Sequence, residues 1–404
     1  MLSVNCMRFC YIYILINIVR AVSPYVSLEN RELYSMIEYS IIGNGNSTST
    51  FILNQPYTID EVDFIFKKNL TFYNYFYNST YSSNDSIIIN FKPTINYVDT
   101  EHTSSIYGSI NLDGTIKINN MILNNVVEIN QNLKWDSNFH GQTNKWFMGY
   151  FPSSYVLFSY KDLEVFGGKI SRNMGPLNEY SLIFSNNPYS FHHYGFSMRN
   201  KKTKYSFYTT RLNDWYIYKD RDGQSLNKTY KRYWSYQKFE FQVNPSLQIA
   251  LSESVLYAGE NQSFVPSLIN PVYFFYTASE NDLVESNSMW DIQLVYLVKP
   301  KLAVYVDLFA DDIIVNNELG VDARSAHPDR LGVLAKVSFS SIRRLNTLRY
   351  VRIWNETYTS LRLYENYLSN KKGIGFPYSS YESVKYTNTF LSHIPLFVEA
   401  SIEF

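Results

Sequence analysis

Beyond residue 10 the chain contains no cysteine; its only two, Cys6 and Cys10, stand in the opening stretch CMRFCYIYILINIV. If that stretch is removed on export, the mature chain cannot rest on disulfides. Charge of one sign is also missing. The 404 residues hold 36 Lys+Arg against 36 Asp+Glu, so no global basic field exists to attract nucleic acid. After residue 21 no apolar run approaches the roughly 20 residues of a membrane-spanning helix. A membrane form of this chain must therefore be a barrel. The six histidines (His102, His140, His192, His193, His327 and His393) show no metal-ligand spacing, so neither a metal nor a cofactor is expected. His192 and His193, adjacent in a strand-like stretch, should point to opposite faces. No G-x-S-x-G elbow, P-loop or dinucleotide fingerprint occurs, and the chain is not read as an enzyme.

What is present is aromatic. Tyr, Phe and Trp make up 17% of the residues, and charged residues only 18%. That balance argues against disorder and against a helical bundle, and favours half-buried pleated surfaces. Residues 1–21 read as a cleaved secretory signal: Arg8 precedes a short apolar core that Asn17 interrupts and Arg20 ends, which places the mature start near Val22. Two amphipathic helices follow within residues 22–80. One carries Leu33, Met36, Ile37 and Ile41 at helical spacing, with Ser27 as N-cap and Gly43 as stop. The other opens on Thr58 and Glu61 at capping-box spacing and ends on Lys67 and Lys68.

From residue 81 to 404 the period is two. In KFEFQV, Lys238, Glu240 and Gln242 alternate with Phe239, Phe241 and Val243. WDIQLVYLV puts Trp290, Ile292, Leu294, Tyr296 and Val298 on one face, and KLAVYVDLF and LFVEASIEF behave alike. A soluble sandwich turns the apolar face inward and an outer-membrane barrel turns it to lipid; periodicity does not separate the two. The signal segment, the missing thiols, the widespread aromatics and the terminal Phe404 favour the barrel. The length allows roughly 16–18 antiparallel strands at about 18–20 residues per strand plus turn.

Four blocks in order carry a resemblance. They are SPYVSLENRELYSMIEY; GGKISRNMGPLNEYSLIFSNNPY, with Gly168, Arg172, Gly175, Pro176, Ser181, Leu182 and Ser185; LQIALSESVLYAGE with NPVYFFY, holding Glu253, Tyr257 and Gly259; and VYVDLFADDI with LGVLAKV, holding Asp311 and Asp312. Together they resemble the capsule assembly protein Wzi family, with Met174 standing where that pattern usually has Trp and Leu177 where it has Gly. The resemblance implies an outer-membrane barrel, an N-terminal helical plug at its periplasmic end, and a surface lectin that binds and organises capsular polysaccharide. A monomeric barrel in outer-membrane lipid is expected, with no nucleic-acid partner. A passive channel for sugars or other small solutes is the alternative. The second block reads as a strand, a tight turn and a second strand.

Candidate polysaccharide contacts lie where aromatics adjoin polar groups: Trp215, Tyr216, Tyr218, Lys219 and Arg221 in RLNDWYIYKDRDGQ, and Trp234 in KRYWSYQK. An aromatic girdle at the membrane interface is the competing account. Asp311-Asp312 reads as an ion or sugar-hydroxyl site or, preferably, a solvated strand end. Glu253 shares parity with Leu247, Ile249 and Leu251, so a bulge that turns it into the lumen is expected, with Arg172 available to pair. A structural lumen network is the plainer role for Arg172, Gly175, Pro176, Glu253 and the two aspartates.

Overall fold

The computed structural model describes residues 24–44, 50–66, 86–100, 103–134, 139, 148–219, 225–284, 286–311, 330–354, 381–391 and 397–403. The signal segment, Lys67 and Lys68, and the boundary expected near residue 80 lie outside them. Two helices, α1 (Arg31–Asn44) and α2 (Ile59–Phe66), precede the strands. The strands are β1 (Ser86–Thr100), β2 (Thr103–Ile118), β3 (Met121–Asn130), β4 (Gly149–Tyr160), β5 (Leu163–Ile170), β6 (Phe191–Arg199), β7 (Thr203–Arg211), β8 (Trp215–Lys219) and β9 (Ser225–Asn244). They continue as β10 (Leu247–Gly259), β11 (Ser286–Lys299), β12 (Leu302–Asp311), β13 (Arg330–Ser341), β14 (Arg344–Trp354), β15 (Tyr381–Leu391) and β16 (Phe397–Glu403), with α3 (Phe275–Asn281) between β10 and β11.

The helices form for local reasons. Asn30, rather than Ser27, caps α1: its Oδ1 accepts from the Leu33 amide at 3.1 Å. The capping box of α2 is made as expected. The Glu61 amide donates to Thr58 Oγ1 at 3.2 Å, and the Thr58 amide donates to Glu61 Oε2 at 2.8 Å.

Each strand pairs antiparallel with the next in chain order, except that β7 pairs with β9 and β8 forms a separate ribbon on β9. The sheet is amphipathic in the inverted sense. On β9 the buried side carries Lys238 and Glu240, while the intervening Phe239 is 43% exposed. On β11 Asp291 and Gln293 are buried and Ile292 is 50% exposed. Water outside such a wall would face a continuous apolar belt, so the belt faces lipid and the polar side lines a lumen: an all-β outer-membrane barrel. Connections such as Asn119–Asn120, Lys161–Asp162, Pro300–Lys301 and Ile342–Arg343 are two-residue turns at one end, and the long loops gather at the other. Short turns mark the periplasmic side.

The lumen is filled from both ends. At the short-turn end α1 docks on the wall: the Lys301 amide donates to Ile42 O at 2.9 Å and Tyr39 Oη to Ser341 O at 3.1 Å. Inside it, Tyr34 stacks on Tyr57 with centroids 5.9 Å apart. Burial pushes both phenols up, so they stay neutral and donate to Val26 O and Ile52 O.

From the opposite end the segment between β5 and β6 folds down into the barrel. The second block is therefore a strand followed by an inserted loop, since the sheet resumes only at Phe191. This corrects the strand–turn–strand expectation. The reason is that the loop carries its own polar scaffold. Asn173 Nδ2 donates to Pro176 O at 3.2 Å and Glu179 O at 2.9 Å, and its Oδ1 accepts from the Ser181 amide at 3.0 Å. Those bonds replace a sheet ladder. Gly175 permits the tight return, because a Cβ there would lie 2.5 Å from Ser181 Cβ. Gly168 has φ of +140°, and a Cβ on it would lie 2.4 Å from Ser154 O across the sheet.

Plug, inserted loop and wall meet at one ion pair. Lys336 of β13 lies 2.9 Å from Glu38 of α1, both buried, and also donates to Leu177 O at 2.6 Å. Asn178 Nδ2 and Ser338 Oγ donate to the same carboxylate at 2.7 and 2.6 Å. Replacing one partner strands the other in a dry interior, at a cost of roughly 3–5 kcal/mol, whereas an apolar pair of similar volume is often tolerated. Glu38→Gln should accordingly lower the unfolding free energy of the detergent-solubilised protein, read from urea titration, by that scale. The double variant Glu38→Leu/Lys336→Met should recover most of the loss.

Candidate functional site

The ribbon at the long-loop end is a feature that the sequence singled out. β8 pairs antiparallel with the first part of β9, matching Trp215 to Tyr230 and Tyr216 to Thr229. At its base Arg211 Nη2 holds both Asp214 oxygens, at 2.8 and 3.0 Å. Lys228 Nζ meets Glu260 Oε1 at 2.6 Å. Tyr216 is exposed, and its hydroxyl donates to Asn227 Oδ1 at 3.3 Å. Exposed pairs of this kind add little stability, so the charges remain available to a polar ligand. The backbones of Trp215, Tyr218 and Lys219 belong to β8, but their side chains, and all of Arg221, lie outside the described residues.

Trp234 does not join this surface. It is fully buried, edge-on to Phe184 at 4.9 Å and stacked on Tyr236 at 5.6 Å. Its parity on β9 points it at the inserted loop, so it packs the lumen and offers no face to a polymer.

Two expectations about charged residues are also corrected. Neither pairing of β10 contains a bulge near Glu253, which sits opposite Gln237 and Trp290 and faces outward with Leu251. It stays buried because α3 covers it: Glu253 accepts from the amides of Phe275 and Tyr276 at 3.0 and 2.9 Å and from Gln237 Nε2 at 2.8 Å. Arg172 instead stands in the lumen, on the other side of the wall. Its Nε donates to His193 Nε2 at 2.8 Å, and its guanidinium lies over the rings of Tyr208 and Phe166 at 4.3 and 4.5 Å. His193 is buried and His192 exposed, as their parity required. With Nε2 accepting, the His193 proton sits on Nδ1, 3.0 Å from Phe191 O. Asp311 is buried at the upper end of β12, in place of the solvated strand end expected; Asp312 lies outside the described residues. Among the described residues no three His, Cys, Asp or Glu side chains are grouped to hold a metal ion.

A second surface escaped the sequence. Phe139, Tyr150 and Tyr189 meet edge to face, with centroids 5.4 to 6.5 Å apart. Beside them Tyr150 Oη donates to Glu128 Oε2 at 3.1 Å, and Asn130 Nδ2 donates to Glu128 Oε1 at 2.8 Å. Rings with adjoining carboxylate and amide groups are what a pyranose needs: an apolar face for its C–H bonds and acceptors for its hydroxyls. The signal was Glu128 at the parity of buried Asn124, but the three rings come from separate loops and strands.

The sequence pattern of the family described as capsule assembly protein Wzi matches residues 104–341. No curated protein matches the chain. Among solved structures, the chain is similar to Wzi of Escherichia coli, an outer membrane protein involved in group 1 capsule assembly and a carbohydrate-binding β-barrel. The identity is 11%, 95% of each chain is covered, and the TM-score is 0.45. It is also similar to OccK2 (OpdF) of Pseudomonas aeruginosa, at 12% identity over 75% of this chain and 73% of that one, with a TM-score of 0.39. OmpF of Salmonella typhi is 9% identical over 80% and 92%, with a TM-score of 0.43. At these identities the likeness says nothing about ligands.

The two aromatic settings predict opposite mutational behaviour. Trp234→Ala empties a packed lumen site and should cost roughly 3–5 kcal/mol. Tyr216→Ala removes an exposed ring and should stay within about 0.5 kcal/mol. Urea titration of both variants in detergent checks this.

Proposed function

Because the chain belongs to the capsule assembly protein Wzi family, we propose that it is a surface lectin that holds capsular polysaccharide at the outer membrane and does not cleave it. The observation that carries this reading is the filled lumen. Lys238 Nζ donates to Leu53 O of the plug segment at 2.6 Å and to Met174 O of the inserted loop at 3.1 Å. Wall, plug and loop are thus bonded to one another, and Lys238, Gln293, Asp307 and Lys336 are buried. Such an interior suits a rigid support better than a passage for solutes. What remains to meet a polymer is the outer end: the β8–β9 ribbon and the rings around Tyr150.

The finer parts of the reading are ours as well. Residues 1–21 are removed on export, residues 22–80 form the plug region, residues 81–404 form the barrel, and the barrel works as a monomer in lipid. Trp215, Tyr216, Tyr218 and Arg221 are the ribbon's contacts. Each sugar contact is weak, because hydroxyls exchange water for protein with little net gain. Retention comes from many repeats of one polymer meeting many copies of the protein.

Cells lacking the protein should still make polymer but shed it into the medium, and Trp215→Ala/Tyr216→Ala should shed partially while the barrel folds normally. Full retention in the knockout, or shortening of polymer by purified protein, would overturn the reading. In planar bilayers the intact protein should give few conductance steps. Deleting residues 22–70 should raise conductance, and shortening the 171–190 loop as well should raise it further; large steps from the intact protein would favour a channel.

A further inference from the structure

The segment between β10 and β11 neither fills the lumen nor stands free. It turns back over the outside of the wall. Phe275 and Ala278 of α3 pack on Phe207, Val255 and Tyr257, all of which are buried although the last two share the outward parity of Leu251. Tyr205 Oη donates to Pro271 O at 2.5 Å, and Gln237 Nε2 to Tyr273 O at 2.9 Å. Glu253 is the anchor beneath. Facing outward and uncovered, its carboxylate would meet lipid, where charge is costly. The two α3 amides that it accepts remove that cost and fix the flap.

The depth of the flap follows from the register. On β12 the outward positions Leu302, Val304, Val306, Leu308 and Ala310 form a complete belt. Four two-residue steps at about 3.4 Å per residue and about 40° tilt span about 21 Å, close to the belt height of about 25 Å. Ala310, the uppermost, pairs with Trp290, which pairs with Glu253. On β10, therefore, only Leu247, Ile249 and Leu251 face the acyl chains directly, and from Glu253 upward the flap takes over the wall's outer surface. Its own outer surface is apolar: Val272, Phe274 and Leu283 are 82%, 73% and 91% exposed. Tyr273 and Tyr276 flank them, and Glu280 and Asp282 stand exposed at the edge. Exposed apolar groups of this size on a surface continuous with a lipid belt have the belt's own solvent as neighbour. Irregular backbone does not enter the hydrocarbon, so the boundary between headgroups and acyl chains is the level that suits both the turns and the Tyr rings.

We propose that residues 260–284 are a membrane-interface anchor, seated in the outer leaflet through Val272, Phe274 and Leu283 and tied to the wall through Glu253. The flap then fixes the height and tilt of the barrel beside the neighbouring ribbon, to which Glu260 is joined through Lys228.

The test uses nitroxide labels on single cysteines in a Cys6→Ser/Cys10→Ser background, with the protein in phosphatidylethanolamine–phosphatidylglycerol vesicles. Phe274→Cys and Leu283→Cys probe the flap, Leu251→Cys and Ile292→Cys the belt, and Lys201→Cys the aqueous phase. The ratio of collisions with oxygen to collisions with a water-soluble nickel complex should be several-fold higher at 274 and 283 than at 201, and lower than at 251. Flap labels that match 201 while belt labels remain in lipid would overturn the anchor and leave the barrel standing. Belt labels in water would overturn the barrel itself. Label–label broadening that fades when the protein is diluted in lipid would assign the flap to a second copy and overturn the lipid assignment.

Discussion

The buried contact between Glu38 and Lys336 is the constraint on which the interior depends. An unpaired charge at that depth is not tolerated, so α1 must present its carboxylate where β13 presents its ammonium. Leu177 O and Asn178 complete the shells of the same two groups, which draws the inserted loop to the same point. One pair thus joins a wall strand to two segments, α1 and the inserted loop, that are far apart in sequence and enter the barrel from opposite ends. Lys238, with Leu53 O, Met174 O and Gln293 around it, repeats the arrangement on β9, four strands away along the sheet.

Polarity in this protein is inverted because its outer solvent is hydrocarbon. The wall's polar side needs partners, and a wide lumen would leave them to water. Here they are met by protein: backbone carbonyls of the plug and loop accept from wall lysines, and wall carboxylates accept from loop amides, as Asp307 does from Leu182. The same logic runs outward at Glu253, a carboxylate on the wall's outer face. α3 supplies it with two backbone amides, so a local polar demand on the wall explains why a long loop lies against the outside of the barrel.

The abundant aromatics divide by solvent. Phe239 and Tyr296 face lipid, and Trp234, Phe184 and Tyr236 pack the lumen in edge and stacked contacts. Tyr216 and the Phe139, Tyr150 and Tyr189 group stand at the outer end. Aromatic content alone does not distinguish these uses, since one residue type serves all three settings.

Much of the architecture was legible in local pattern. The two-residue period marked the strands, the Thr58–Glu61 spacing marked α2, and parity placed His192 and His193 on opposite faces, because each depends only on neighbours in the chain. The ordered blocks pointed to the family that residues 104–341 bear out. Sequence could not distinguish Tyr216 from Trp234, since both sit in aromatic-polar stretches and only the barrel decides which is buried. It read 167–189 as a strand, a tight turn and a second strand because the Asn173 scaffold that replaces the ladder after Ile170 closes over several residues. It turned Glu253 inward because an outward carboxylate is acceptable only once α3, distant along the chain, lies over it. What the sequence by itself determined was the strand period, the division of each strand into an apolar and a polar face, and the absence of cysteine beyond residue 10, all set by composition and spacing. Which polar groups meet, which rings are covered and which loop enters the lumen were decided by tertiary structure alone, because each depends on partners brought together only when the sheet curves round on them.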